Sequence, residues 1–172
     1  MTSPFRRGAR RSTVAVTVAI LCCAAAAAVA DHAPAIALVN ESPSLPRGLY
    51  LRRPATTPDI GAVVAVPQPV AGRPYLAGLG MPPEILLIKR VAAVGGDTVC
   101  REGDRVRTPR RTVLALTRDR HGAVLPRWDG CRVLATDELF LLGETAFSFD
   151  SRYFGPVSRT QIEGVYREVV GW

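Results

Sequence analysis

Past residue 30 the chain alternates short apolar runs with clusters of proline, glycine and charge. The runs are Ile60 to Val66, Ile85 to Val94, Val113 to Leu116, Leu139 to Leu142 and Val165 to Val170. Each is of strand length, rich in Val, Ile and Leu and bounded by turn residues, which predicts a mainly β domain. No long helical period interrupts the pattern. Gly72-Arg73-Pro74 and Leu76 to Pro83 predict an extended loop, while Arg101 to Arg111 and Asp119 to Gly130 predict the turns of a projecting, polar β-ribbon. No internal repeat is present.

Upstream lies a different kind of run. Ser12 to Ala30 is 19 residues without a charge, containing Val14, Val16, Val18, Ile20, Leu21 and a block of alanines. At about 1.5 Å per residue a helix of this length roughly spans the hydrocarbon core of a bilayer, which predicts one N-terminal transmembrane helix. The preceding arginines hold residues 1–11 in the cytoplasm, so the chain divides into a basic tail (1–11), a membrane or signal segment (12–30) and an exported domain (31–172). Ala28-Val29-Ala30 also fits a small-x-small cleavage site, so a removed signal peptide stays open as an alternative. The length of the run, beyond the usual signal core of about 7–15 residues, favours a retained anchor. Either way the domain is expected on the periplasmic, exported side of the inner membrane.

Composition narrows this further. With 172 residues, 48% of them hydrophobic and 22% charged, the chain suits one packed domain and argues against wholesale disorder. The net charge of +7 is concentrated at the start: Arg6, Arg7, Arg10 and Arg11 stand without an acid in the first 30 residues, leaving 18 basic and 15 acidic side chains after them. An excess that small does not steer a domain onto a polyanion, and no nucleic acid partner is expected. Arg101, Arg105, Arg107, Arg110 and Arg111 interleave with Glu102 and Asp104, the pattern of a solvated hairpin. Cys22 and Cys23 belong to the apolar run, so Cys100 and Cys131 are left as an even pair in an oxidising compartment. They are expected to form a disulfide, with two free buried thiols as the alternative. No CxxC occurs and there are only two histidines, too few ligands for a zinc site of the usual kind, so no metal is expected.

The Lys+Arg total of 22 hides an asymmetry: 21 are arginine and one is lysine, Lys89. Arginine keeps its proton in a protein, whereas burial can pull a lysine down from about 10.4 until it acts as a base. Arginine-rich codon usage would also leave a lone lysine. Position speaks for chemistry, because Lys89 stands inside the apolar run Ile85 to Val94. In a strand it shares a face with Leu87 and Val91 while Arg90 points the other way.

A base requires a nucleophile. The segment Asn40-Glu41-Ser42-Pro43-Ser44-Leu45-Pro46 holds Ser44 between two prolines that fix their own φ and restrict their predecessors; an ordinary Ser/Pro turn would read the same. A third cluster, Ser148 to Gly155, sets Asp150 and Arg152 two residues apart between aromatic side chains. Strand alternation would put Ser148, Asp150 and Arg152 on one face, able to orient an amine; a structural Asp–Arg pair is the alternative.

Together these clusters resemble the membrane-associated signal peptidases of the serine–lysine type, most of all their conjugative-transfer (TraF-like) branch. Ser44-Leu45-Pro46 is similar to the nucleophile box and Asp59 to Val64 to the strand after it. Ile88-Lys89-Arg90-Val91 through Gly96-Asp97 is similar to the lysine box, and Ser148 to Gly155 to the final box. The resemblance implies a signal-peptidase/LexA-like β-rich catalytic domain in which Ser44 is the nucleophile and Lys89 the general base. It implies that Ser42 supports the oxyanion beside the Ser44 N–H, that Ser148 hydrogen-bonds the lysine amine, and that Asp150 and Arg152 hold that wall, with Asp150 important for activity. Neither a cofactor nor a metal is implied. Leu45-Pro46 departs from the Met-x-Pro of housekeeping leader peptidases, and Gly143-Glu144-Thr145 from their Gly-Asp-Asn. Both departures favour a membrane-tethered client such as a pilin subunit over general secretory precursors. A general leader peptidase and a non-enzymatic anchored β-domain of a secretion assembly remain the competing expectations. A Ser-His-Asp hydrolase would need His32 or His121, neither placed like a buried base, and a LexA-type regulator would need a DNA-binding region where the apolar run stands.

Overall fold

The computed structural model describes residues 15–18, 20–23 and 34–172. The chain forms two units, Met1–Pro34 and Ala35–Trp172. In the first, residues 15–18 and 20–23 are helical, Val16, Val18, Ile20 and Leu21 are exposed, and Cys22 and Cys23 are free thiols. The basic tail and the rest of the expected membrane segment lie outside the described residues. Among the described residues no helix is long and apolar enough to cross a membrane.

The second unit is mainly β. Eleven strands run in chain order: β1 (Ala37–Asn40), β2 (Gly48–Arg52), β3 (Val63–Val66), β4 (Leu87–Val94), β5 (Thr98–Glu102), β6 (Arg105–Arg107), β7 (Thr112–Leu114), β8 (Cys131–Val133), β9 (Glu138–Leu142), β10 (Val157–Ser158) and β11 (Gly164–Gly171). A seven-stranded sheet has the order β1-β2-β11-β3-β4-β9-β10, and a four-stranded sheet the order β7-β6-β5-β8. Every pairing is antiparallel, and the five apolar runs of the sequence each overlap one strand.

The central strands are apolar on both faces because both faces are covered. In β3, Val64 and Val66 join one buried cluster with Leu87, Val91, Leu139 and Leu141, while Val63 and Ala65 join another with Leu45, Tyr50 and Ile88. In β9, Phe140 and Leu142 face a third cluster that includes Val99 of β5 and Val106 of β6, linking the two sheets. Cys100 of β5 and Cys131 of β8 are cross-strand neighbours joined as a disulfide, as the cysteine arithmetic predicts. Between β4 and β5, Gly96 takes a φ of +90°, which favours glycine, and the Asp97 carboxylate accepts from the Val94 N–H at 2.9 Å.

Three local expectations are corrected. Residues 72–78 are not an extended loop: a 3-10 turn (Val70–Gly72) leads into α1 (Arg73–Gly78), with Pro74 in its first turn. Proline is disfavoured inside a helix but fits the start, where its missing N–H has no partner to lose. Residues 148–152 do not alternate as a strand. Asp150 is instead the N-cap of the one-turn helix α2 (Ser151–Phe154), accepting from the Arg152 N–H. Arg101 is not solvated; it is 8% exposed and donates to the carbonyls of Arg152, Gly103 and Trp128. Arg111 departs as well, half-buried and donating to the Gly143 carbonyl, while Arg105, Arg107 and Arg110 are exposed as expected.

Candidate active site

Ser44 sits in the turn connecting β1 to β2, and the turn is tied to the sheet by one side chain. Asn40, the last residue of β1 and 4% exposed, donates from Nδ2 to the carbonyls of Ser42, Leu45 and Pro46, at 3.1, 3.1 and 2.9 Å. Its Oδ1 accepts from the Ser42 N–H and hydroxyl. Tyr50 adds a bond from its hydroxyl to the Pro46 carbonyl at 2.8 Å. The two prolines flank the serine, but this net of side-chain bonds closes the turn. Asn40 carried no sequence signal beyond its proximity to Ser42.

Lys89 reaches the same point from β4, opposite Val64 of β3. It is 4% exposed, and its Nζ hydrogen-bonds Ser44 Oγ at 3.0 Å and donates to the Ile88 carbonyl at 2.9 Å. Burial pulls the amine down to about 8; the Asp150 carboxylate pushes it back up, and the Arg152 guanidinium opposes that push. A protonated amine here has no carboxylate within bonding distance among the described residues, so desolvation outweighs the distant charges. Near pH 8 the amine is therefore divided between its charged and neutral forms, and the neutral form has a lone pair available to a hydroxyl proton.

The hydroxyls continue past Ser44. Ser42 Oγ lies 2.8 Å from Ser44 Oγ and donates to Asn40 Oδ1 at 3.0 Å. A hydroxyl has one proton, so while Ser42 donates to Asn40 it accepts from Ser44. Turning that proton toward Ser44 frees the Ser44 proton to point at Lys89. The Ser44 N–H donates to no acceptor among the described residues, which leaves it open to an oxyanion. Its carbonyl accepts from the Glu144 N–H at 2.7 Å.

Behind Lys89, Asp150 and Arg152 are 0% and 1% exposed and form a two-pronged ion pair with distances of 2.8 and 2.7 Å. Arg152 donates as well to the carbonyls of Leu114, Thr145, Ala146 and Ser148. Asp150 also accepts from the Gly143 N–H at 2.8 Å. Its oxygens face Arg152 and Gly143 rather than Ser44 or Lys89. Ser148, 3% exposed, is near the same site, but its hydroxyl bonds Thr145 Oγ1 at 2.9 Å instead of the expected lysine amine. Gly143 belongs to this packing: a Cβ there would collide with the Ser148 side chain.

A cavity of about 390 Å³ opens onto the pair. Ser42, Ser44, Lys89 and Ser148 line one side, and Leu76, Leu79 and Met81, on or just after α1, line another. These apolar wall residues lie in the segment for which the sequence predicts an extended loop. His121 is exposed in a turn and His32 lies outside the described residues. Among the described residues no cluster of His, Cys, Asp and Glu could hold a metal.

Residues 9–172 match the family model described as signal peptidase, peptidase S26. The chain belongs to the signal peptidase S26 family. Two plasmid transfer proteins TraF of Escherichia coli are similar to this S26 chain. One is 37% identical over 151 residues, covering 79% of this chain and 84% of its own length. The other is 34% identical over 172 residues, covering 92% and 96%. A solved signal peptidase I of Enterococcus faecalis aligns at 20% identity with a TM-score of 0.38, over 64% of this chain and 97% of that one. The family assignment rests on the family model and the sequence relatives.

Proposed function

We propose that this protein is a membrane-anchored serine endopeptidase that cleaves exported precursors, a conjugative pilin precursor foremost, with Ser44 as nucleophile and Lys89 as general base. The observation that carries the reading is the 3.0 Å approach of a buried amine, held near 8, to a serine hydroxyl. Neutral Lys89 takes the Ser44 proton as Oγ attacks the scissile carbonyl. The Ser44 N–H and, once its hydroxyl turns, Ser42 donate to the oxygen that gains charge. The amine then returns the proton to the leaving nitrogen, and water resolves the acyl-enzyme. This chemistry falls among the Ser-Lys variants of the serine triad.

The plasmid transfer relatives support a client from conjugation rather than the general secretory stream. The apolar run at 12–30 supports an anchor, and with Ser44 only 14 residues beyond Ala30 the tether keeps the reaction close to the lipid.

The test follows a pilin precursor by mass spectrometry with full-length protein in detergent. Wild type is expected to cut after a small residue, and kcat/KM to climb tenfold per pH unit below about 8 and level off above it. Ser44→Ala and Lys89→Arg are expected to lose at least a thousandfold in rate while remaining folded, since arginine keeps the charge but cannot accept the proton. Cleavage by Lys89→Arg at the wild-type rate would refute the mechanism.

A further inference from the structure

A second cavity, of about 240 Å³, lies beside the first. Pro43, Tyr75, Leu79, Phe147 and Phe149 line both, so the two share a wall, and Pro43 is the immediate chain neighbour of Ser44. The far side of the second cavity is built by residues outside the motifs that identify the family: Leu116, Asp119, Arg120, His121 and Leu125.

Its charges are not equivalent. The Asp119 carboxylate accepts three hydrogen bonds, from the Tyr75 hydroxyl at 2.9 Å and from the N–H groups of His121 and Ala123 at 2.8 and 2.9 Å. It fastens the turn and is already engaged. Arg120 has no hydrogen bond or ion pair among the described residues. Its guanidinium lies 3.9 Å over the ring of Phe147, which is 53% exposed on the shared wall. A guanidinium stacked this way is held in place by the ring face while its N–H edge remains free for a planar acceptor. The cavity therefore presents an apolar floor and one unengaged cationic fork, complementary to a carboxylate on a short aliphatic stem.

We propose that this second cavity is a specificity pocket for an acidic side chain of the client polypeptide near the cleaved bond, with its carboxylate bound by Arg120. The proposal rests on the peptidase reading, because the client is what occupies the neighbouring cleft. It assigns Arg120 to selection and gives it no part in the proton transfers.

The test separates binding from cleavage. Full-length Ser44→Ala protein in detergent is titrated with fluorescent twelve-residue peptides centred on Ala-Ala, in which one Glu is moved through the positions on either side and compared with Gln and Lys at each. At one position Glu is expected to bind about tenfold more tightly than Gln, the scale of one charge-assisted pair, with Lys weaker still. Adding Arg120→Gln should bring Glu and Gln within twofold, and Arg120→Glu should turn the preference toward Lys. Arg120 is exposed, so neither exchange disturbs the core. Equal binding of Glu and Gln at every position, a preference for Lys, a Glu preference that survives Arg120→Gln, or no binding of any peptide would overturn the pocket. If the Arg120-dependent preference appears but protein with Ser44 intact cuts none of these peptides or the pilin precursor, the pocket stands and the peptidase reading falls.

Discussion

At the scale of single residues, the buried Lys89 amine makes stability depend on pH. Its amine falls from 10.5 in the open chain to about 8 in the fold, chiefly through burial. Between those values the unfolded chain holds a proton that the folded one has released, so stability rises with pH across about 8 to 10.5. Below 8 the buried charge costs about 3 kcal/mol, the free-energy equivalent of that difference. Lys89→Met, which fills the same strand position without a charge, is therefore expected to be more stable than wild type at pH 7 by up to that amount. The gap should close as pH approaches 10. Urea unfolding at several pH values checks it, and a gap that does not change with pH would mean that the amine stays charged throughout. Lys89 was legible in sequence because it is the lone lysine among 21 arginines and stands in an apolar run. Asn40 was not, because its importance lies in five hydrogen bonds that exist only once the turn has closed.

Among elements, the buried central strands were the most legible. The five apolar runs overlap β3, β4, β7, β9 and β11, and the central strands among them read as continuous hydrophobic stretches because they are covered on both faces. β8 is exposed throughout; β6, β8 and β10 are two or three residues long and, unlike the equally short β7, fall outside the five apolar runs. The same holds for the four residues of α2, although the Asp150 cap and the Arg152 cluster were visible as residue types. The final box is held by that cap rather than by strand alternation. Asp150 accepts from Arg152 and Gly143, and the neighbouring Glu144 N–H donates to the Ser44 carbonyl, so one buried ion pair fixes the loop that supports the turn bearing Ser44. Removing one partner of such a pair leaves an uncompensated charge, at a cost of about 3–5 kcal/mol. Arg152→Met strands the Asp150 carboxylate and four carbonyls and is expected to lose that much or fail to fold. Asp150→Asn keeps one acceptor oxygen and is expected to lose less. Denaturant midpoints decide the order, and equal losses would show that the guanidinium's carbonyl bonds contribute little.

For the molecule as a whole, the site and the disulfide belong to different sheets. Ser44 and Lys89 sit on or beside the seven-stranded sheet, whereas Cys100 and Cys131 clasp β5 to β8 in the four-stranded one, across a sequence separation of 31 residues. The enclosed segment contains β6, β7 and the turn that bears Asp119 and Arg120. Val106, Ala115 and Leu125 of this segment join Phe140 and Leu142 of the larger sheet in one buried cluster. A loop of this length, closed covalently, removes chain entropy from the unfolded state worth about 3–4 kcal/mol. In a domain of this size that corresponds to roughly 10 °C in Tm. Cys100→Ala with Cys131→Ala is expected to show that loss under oxidising conditions, and wild type should match the variant once reduced. The 3.0 Å contact of Lys89 with Ser44 involves neither cysteine. Folded variant protein at 25 °C is therefore expected to retain the wild-type cleavage rate and pH profile while unfolding earlier. A loss below about 1 kcal/mol would mean that the shared apolar cluster already holds the four-stranded sheet closed. A changed pH profile would mean instead that the clasp reaches the amine through the bonds from its segment to Arg152, from Arg101 to the Arg152 carbonyl and from the Arg152 guanidinium to the Leu114 carbonyl.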